Sequence, residues 1–381
     1  MYSIPYIIVA LALFFLYGCE CGKIKCSITA KQARTIAFLL LLFFLGLRGH
    51  IKSDFISYYP FFEDLPNIFE LKFNNIRDFQ WEPGFIIYSS IVKTIIPNYF
   101  GWVFINTLID LLVLRYVFKN YTQSQILPFL FFIAFNGLLI EFNLYRNIKA
   151  IDLFLLSLPC LQRRKILPYM ILNLLGVSFH VSSLIYIPLY WLLCRRIPKV
   201  VLWSGIIVAN IVFLGQISVI SDFLNNLGVL QAMDFYEALS EYVETSDNAK
   251  LLSIGYFERT FAVVAFTILY NRLVGQKKEN VIFYNCFWLY YISFLFCYEV
   301  SVLVDRIPTL FIFSYWVLYP NVFTIKFRIR PIVVAISMLL VFLKIYTGNK
   351  EIPSKYENIL FIEDNYEERK QIQLDYFNHA N

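Results

Sequence analysis

Apolar segments alternate with short polar stretches along most of the chain, from Tyr2 to Tyr346. Many of them approach the roughly 20 residues that a helix needs to cross the hydrocarbon core of a bilayer. The pattern therefore predicts an all-α, polytopic membrane protein with about twelve transmembrane helices. The predicted crossings are 2–17, 35–47, 99–118, 125–140, 148–161, 166–178, 181–194, 200–220, 254–270, 281–298, 307–322 and 331–346.

One apolar run, Phe85 to Pro97, is too short for a standard crossing and is predicted to form a re-entrant or interfacial helix. Residues 1–347 are then one membrane domain, with polar loops at 48–98 and 221–253. Residues 348–381 form a polar tail with net acidic charge. The sequence has no room for a sizeable soluble domain.

Six clusters of Lys and Arg separate the apolar segments and fix the predicted orientation. Cationic loops stay in the cytoplasm, so an even number of crossings must connect each cluster to the next. Both termini, the two polar loops and the tail are therefore predicted to face outward. The clusters are Lys23/Lys25/Lys31/Arg34, Arg115/Lys119, Arg163/Arg164/Lys165, Arg195/Arg196/Lys199, Arg272/Lys277/Lys278 and Lys326/Arg328/Arg330.

The composition agrees with a membrane protein, because 59% of the residues are hydrophobic and only 16% are charged. The net charge of +6 could indicate nucleic-acid binding, but the cations lie in short clusters between apolar segments. That placement sets membrane topology, and no nucleic-acid partner is predicted.

The seven cysteines predict neither a disulfide framework nor a metal centre. Most lie in apolar segments, where a thiol behaves as a small hydrophobic group. Cys19, Cys21 and Cys26 could bind a soft metal, but no fourth ligand is nearby and no metal or cofactor is predicted.

The unusual polar residues gather on the predicted outer side, at the ends of apolar segments. Ionisable groups near hydrocarbon are costly unless they are paired or hydrated, so they indicate a ligand pathway. Snorkelling and local ion pairs are the alternative explanation. The residues are Arg48, Asp54, Glu82, Arg146, Lys149, Asp152, His180, Arg259, Glu299, Asp305 and Arg306.

His180 lies at the centre of an uncharged stretch from Ile166 to Cys194, between two cytoplasmic clusters. The chain must turn around near His180, and fourteen helical residues rise only about 21 Å against a core near 30 Å. Non-helical backbone at that depth must be buried in protein or line a wet cavity. His180 is therefore predicted at the floor of an outward-facing cavity, with a buried structural histidine as the alternative.

Arg48, Arg146 and Arg306 each border an apolar segment at the outer face. A guanidinium group stays charged and presents a fork of donors that matches phosphate oxygens, so these residues are candidate ligands of a lipid pyrophosphate. Glu82 opens the helix that begins Glu82-Pro83-Gly84, where the helix dipole favours an acid whether or not it has a function.

Several motifs together resemble the Wzy-type bacterial polysaccharide polymerases, most closely their EpsG-like branch. They recur in order between Gly46 and Arg306 and are moderately specific as a set. The matching pieces are Gly46-Leu47-Arg48-Gly49, Ser53-Asp54 with Tyr58-Tyr59, Glu82-Pro83-Gly84-Phe85, Arg146-Asn147-Ile148-Lys149-Ala150, Phe179-His180-Val181-Ser182-Ser183 and Asp305-Arg306.

The resemblance implies a metal-independent glycosyltransferase with a GT-C-like membrane fold. Such enzymes join glycan repeat units carried on undecaprenyl pyrophosphate at the periplasmic face of the bacterial inner membrane. The implied partners are the lipid-linked donor and acceptor, membrane lipid and a chain-length regulator protein.

We assign roles to the site residues on this basis. Arg146 and Arg306 would bind the donor pyrophosphate, with Arg48 or Arg259 assisting, and stabilise the charge of the leaving group. His180 would be the general base, because imidazole titrates nearest to neutral pH, and Glu82 is the alternative base. Asp54 is a further catalytic candidate, although the Asp-Tyr step of the family appears here as Asp54-Phe55.

Three other functions remain as alternatives. An O-antigen ligase would use the same lipid-phosphate chemistry. A flippase for lipid-linked glycans should carry cations throughout a tunnel and not at one face. A membrane O-acetyltransferase would also use a histidine, but its acyl donor would approach from the cytoplasm, opposite His180.

Overall fold

The computed structural model describes residues 2–219, 253–299, 301–361 and 365–380. Within these ranges the regular elements are helical, apart from one isolated β-bridge between Arg48 and Asn358. The all-α prediction is confirmed. The predicted loop 221–253 lies outside the described residues except for Ser253.

Most helices lie in predicted apolar segments, and others form within the predicted polar loop 48–98 and the tail. The first nine are α1 (Ile4–Glu20), α2 (Ala30–Gly46), α3 (Phe55–Asp64), α4 (Phe73–Asp78), α5 (Pro83–Ile95), α6 (Tyr99–Tyr121), α7 (Leu127–Ala134), α8 (Gly137–Asn143) and α9 (Tyr145–Gln162). The others are α10 (Ile166–Phe179), α11 (Tyr186–Leu189), α12 (Lys199–Leu214), α13 (Ile254–Gln276), α14 (Asn280–Phe296), α15 (Ser301–Arg306), α16 (Phe313–Val322), α17 (Arg330–Gly348) and α18 (Tyr366–Ala380). Short 3-10 helices cover Val181–Ile185, Cys297–Glu299, Pro308–Phe311 and Ile352–Ser354.

Among the described helices, α6 and α17 are long and apolar enough to cross a membrane by themselves. Helices α1, α10, α12 and α14 are also apolar but shorter. These elements agree with a helical membrane protein, while the number of about twelve crossings stays a prediction.

Three predicted crossings are not single helices, and one of them, 307–322, is divided between the 3-10 helix Pro308–Phe311 and α16. Segment 125–140 is divided between α7 and α8 at Asn136, whose φ of 57° is left-handed, a conformation that asparagine tolerates better than most residues. Segment 181–194 begins as a 3-10 helix and continues as the four residues of α11. Its Ser182 and Ser183 are residue types that compete with regular helical hydrogen bonding, which hydropathy does not register.

The chain forms two compact units. The first contains Met1–Ile187 and Lys326–Asn381, and the second contains Pro188–Ile325. In the first unit, α9 packs along α10, and α5 packs against both α6 and α10. An aromatic core beside α5 includes Tyr58, Phe85, Trp102 and Tyr145. This core holds the predicted re-entrant segment, which forms the single helix α5.

The C-terminal tail is packed onto the loop that follows α2. The Lys52 amide donates to the Pro353 carbonyl oxygen at 2.8 Å. Arg369 is buried, and its Nε donates to the His50 carbonyl oxygen at 3.0 Å. The tail is therefore a packed part of the first unit. The polar composition of the tail does not predict this packing.

In the second unit, a polar network joins α12, α13 and α14. The Tyr256 hydroxyl donates to Asn210 Oδ1 at 2.7 Å, and Asn210 Nδ2 donates to the Tyr291 hydroxyl at 2.9 Å. These side chains satisfy one another inside an otherwise apolar bundle.

Candidate active site

The candidate site lies where the beginning of α5 meets the end of α10. Glu82 is the extended residue before α5, and Pro83 occupies the first helical position, which needs no amide donor. A side chain on Gly84 would overlap Ser178, with its Cβ only 2.8 Å from the Ser178 carbonyl oxygen. Glycine at this position lets α5 approach α10 closely enough to bring Glu82 to His180.

His180 stands at the turn predicted for it. Helix α10 ends at Phe179, and His180 has an extended backbone with φ −157° and ψ 118°. The chain then runs back beside α10, where the Tyr169 hydroxyl donates to the Tyr186 carbonyl oxygen at 2.5 Å. The imidazole of His180 is buried, and its Nδ1 lies 2.9 Å from Glu82 Oε1.

Arg146, in the first turn of α9, binds the other oxygen of the same carboxylate. Its Nη1 donates to Glu82 Oε2 at 2.5 Å, and its guanidinium carbon lies 4.5 Å from the centre of the Trp81 ring. The Val181 amide also donates to Glu82 Oε1, at 3.3 Å. Glu82 thus bridges a buried imidazole and a guanidinium group that stacks on an aromatic ring.

The environment keeps Glu82 ionised. Burial would raise the pKa of the carboxyl group, but the His180 hydrogen bond and the Arg146 charge outweigh it and lower the pKa to about 2. An ionised carboxylate only accepts hydrogen bonds, so Nδ1 of His180 carries the proton that it donates to Glu82. In a neutral imidazole the lone pair is then on Nε2, which is buried without a hydrogen-bond partner among the described residues.

Asp54 lies within electrostatic range of this group. It precedes α3 and accepts from the Ser53 hydroxyl at 3.1 Å. Burial raises its pKa, while the Ser53 hydrogen bond and the charge of Arg146 act in the opposite direction. The Asp54 carboxyl group and the Arg146 guanidinium group therefore interact electrostatically.

Arg48 is held by the protein itself. Its guanidinium group donates to the carbonyl oxygens of Leu45 and Glu141, each at 2.5 Å, and to the hydroxyls of Thr107 at 2.9 Å and Tyr145 at 2.8 Å. Only 2% of the residue is exposed. These contacts occupy the guanidinium group inside the protein, and pyrophosphate binding by Arg48 stays a prediction.

The other two predicted pyrophosphate ligands belong to the second unit. Arg259 donates from Nε to the Tyr290 hydroxyl at 2.7 Å and lies 3.9 Å from the centre of the Phe294 ring. Arg306 is exposed at the end of α15.

Two aromatic residues without a predicted role support the site, and one of them, Tyr58, belongs to the Tyr58-Tyr59 motif. Trp81 supports the guanidinium group of Arg146, and Tyr58 packs on Trp81 with ring centres 4.6 Å apart. Trp81 directly precedes the Glu82-Pro83-Gly84 motif, and this position in the sequence could have indicated that Trp81 lies near the site. Lys149 was counted among the outer polar residues, but it forms a buried ion pair with Asp110.

A comparison with known protein families matches residues 32–353, most of the chain, to the EpsG family. No curated protein and no solved structure matches the chain.

Proposed function

Because the chain belongs to the EpsG family, we propose that it is a glycosyltransferase that polymerises oligosaccharide repeat units carried on undecaprenyl pyrophosphate. Family membership supports a role in polysaccharide biosynthesis. The observation that carries the proposed reaction is the bridge from Glu82 to both His180 and Arg146. It unites a proton acceptor with an anion-binding group, as transfer from a lipid pyrophosphate requires.

In the proposed mechanism, His180 is the general base. The acceptor hydroxyl gives its proton to His180 Nε2 while its oxygen bonds to the anomeric carbon of the donor sugar. The bond from that carbon to the pyrophosphate breaks, and the lipid pyrophosphate leaves with the electron pair. Direct attack of this kind inverts the anomeric configuration.

Glu82 supports the base, because it fixes the orientation of the imidazole and stabilises its protonated form. This is the role that a carboxylate has beside the histidine of a catalytic triad. Its low pKa argues against Glu82 as the base itself, because a carboxylate that ionises so readily binds a proton weakly.

Arg146 would bind the departing pyrophosphate. Its side chain is 25% exposed, so part of the guanidinium group is accessible to a ligand while Nη1 binds Glu82. A guanidinium group already held in place can stabilise developing negative charge without reorganising. Arg306, which is exposed at the end of α15, stays a predicted pyrophosphate ligand, because its guanidinium group presents the fork of donors that matches phosphate oxygens.

The proposed location is the bacterial inner membrane, with the site at the periplasmic face. The positive-inside rule supports this orientation, because all six cationic clusters are on the opposite side of the predicted topology from His180. Lipid-linked donor and acceptor are the proposed partners, together with a chain-length regulator protein.

The direct test uses purified protein given undecaprenyl-pyrophosphate-linked repeat units. We expect His180→Asn and His180→Gln to remain folded and to bind the lipid-linked units, but to lose a factor of roughly 10² to 10⁴ in the rate of chain extension. A normal ladder of products from either variant would move the base role away from His180. A single transfer to another lipid acceptor, without a ladder, would indicate a ligase.

A second experiment separates pyrophosphate binding from simple snorkelling. Arg146→Lys keeps the charge but loses the fork of donors, so polymer synthesis should fall strongly. Arg115→Lys is the matched control, because Arg115 also stacks on an aromatic ring, 5.0 Å from the centre of Phe38, but belongs to a predicted cytoplasmic cluster. Equal synthesis by the two variants would reject the role of Arg146.

A further inference from the structure

Two thiols meet where α1 ends and the connection to α2 begins. Cys19 is buried in the last turn of α1, and Cys26 is exposed in the connection. Their sulfur atoms are 3.1 Å apart, against about 2.05 Å in a disulfide bond. A movement of roughly 1 Å would therefore be enough to join them.

The backbone holds these thiols together before any bond forms. Gly22 adopts the left-handed conformation with φ +66°, and its amide donates to the Cys19 carbonyl oxygen at 3.0 Å. The Lys23 amide donates to the Gly18 carbonyl oxygen at 2.9 Å. Together these bonds turn the chain sharply at the end of α1, as in a common helix-terminating motif, and direct the connection back towards Cys19.

Both ends of the connection are anchored as well. At one end, Glu20 accepts from Arg34 Nε at 2.7 Å and from the Gln125 amide at 3.0 Å. At the other end, Thr29 and Gln32 form a reciprocal capping box that fixes the start of α2. The contact between the thiols is thus built into a connection whose two ends are fixed.

We propose that Cys19 and Cys26 form a reversible intramolecular disulfide by exchange with a low-molecular-weight disulfide. The exposed Cys26 thiolate attacks the small disulfide and releases one small thiolate. Cys19 then loses its proton and displaces the second small thiolate from the Cys26 sulfur. One small disulfide is consumed, two small thiols are produced, and one bond links α1 to the connection before α2.

The position of the pair favours a reversible bond over a permanent one. The connection carries Lys23 and Lys25, and Lys31 follows in the first turn of α2; these cations predict a cytoplasmic location. Cytoplasmic disulfides are usually transient and respond to the redox state, whereas stable structural disulfides belong to oxidising compartments. The third thiol, Cys21, is exposed, and in the part of the chain that the structure describes Cys26 is hydrogen-bonded to Cys19 and not to Cys21, so Cys21 provides an internal control.

The test uses the full-length purified protein, incubated with oxidised glutathione, alkylated and digested with trypsin. Cleavage after Lys23 and Lys25 separates the two thiols, so the disulfide appears as peptide 1–23 linked to peptide 26–31. We expect this linked pair in the wild type and in Cys21→Ser, and its disappearance after dithiothreitol treatment.

Both Cys19→Ser and Cys19→Ala should lose the linked pair. Two different substitutions are used so that the test still works if one of the two variants fails to fold. Two results would overturn the proposal. One is the persistence of the linked pair in the Cys19 variants, which would assign the bond to Cys21. The other is a wild-type protein whose Cys26 remains free for alkylation after incubation with oxidised glutathione.

Discussion

The absence of a side chain at Gly84 allows α5 to approach α10, and even one methyl group there would not fit. Gly84→Ala would place that group against the Ser178 backbone, which cannot rotate away. Overpacking of this kind costs about 1–3 kcal/mol, so we expect a lower melting temperature. It should also separate Glu82 from His180 and reduce polymer synthesis.

Gly275→Ala is the matched control, because nothing lies within 4 Å of the position that its Cβ would take. In a helix, alanine is preferred to glycine, so this variant should be as stable as the wild type or more so. A Gly84→Ala protein that melts and polymerises like the Gly275→Ala protein would contradict the argument.

Glu82 should also make stability depend on pH. Its pKa falls from an ordinary 4.5 to about 2 in the folded protein, so its contribution is fully present above pH 4.5 and is lost as the pH falls towards 2. We expect the melting temperature of the solubilised protein to fall more steeply over this interval than that of Glu82→Gln. Parallel curves for the two proteins would show that the bridge contributes nothing to folding.

At the scale of helices, the Lys149–Asp110 ion pair joins α9 to α6. Only 5% and 1% of the two side chains are exposed. Asp110→Asn would leave the Lys149 ammonium group buried without its carboxylate, at a cost of about 3–5 kcal/mol. Unfolding measurements should show this loss, and a second substitution, Lys149→Met, should recover much of it.

The exposed pair Lys370–Glu367 is the natural comparison, because its nitrogen and oxygen atoms are 3.7 Å apart at the surface of α18. Glu367→Gln should cost no more than about 1 kcal/mol. If Asp110→Asn were equally mild, Lys149 would have to find another partner or lose its charge.

The sequence predicted elements better than it predicted contacts. The uncharged stretch around His180 located the end of α10, and the short apolar run after Glu82 located α5. The contact between Glu82 and His180 joins residues 98 positions apart and depends on the packing of α5 against α10. Hydropathy and charge do not encode that packing, and the roles given to Asp54, Arg259 and Arg306 stay predictions for the same reason.

At the scale of the whole molecule, the membrane topology is the prediction that a single experiment tests most directly. If all cationic clusters are cytoplasmic, reporter fusions after Lys165 and after Val219 should be on opposite sides of the membrane. The divided segment 181–194 makes this test sharper, because the two fusions would report the same side of the membrane if that segment failed to cross. Cytoplasmic signals from both fusions would remove the outward-facing cavity from the proposal.

The packing of the tail also has a consequence for the order of events during synthesis. The loop after α2 emerges early from the ribosome, but its partner Gln373 is 321 residues further along the chain than Lys52 and emerges much later. At about 5–20 residues per second, this loop waits roughly 15 to 65 seconds for the segment that covers it. A chain that stalls or is cut before residue 350 therefore leaves the neighbourhood of Asp54 uncovered, and a bulky tag next to α18 would hinder the packing of α18 on that loop.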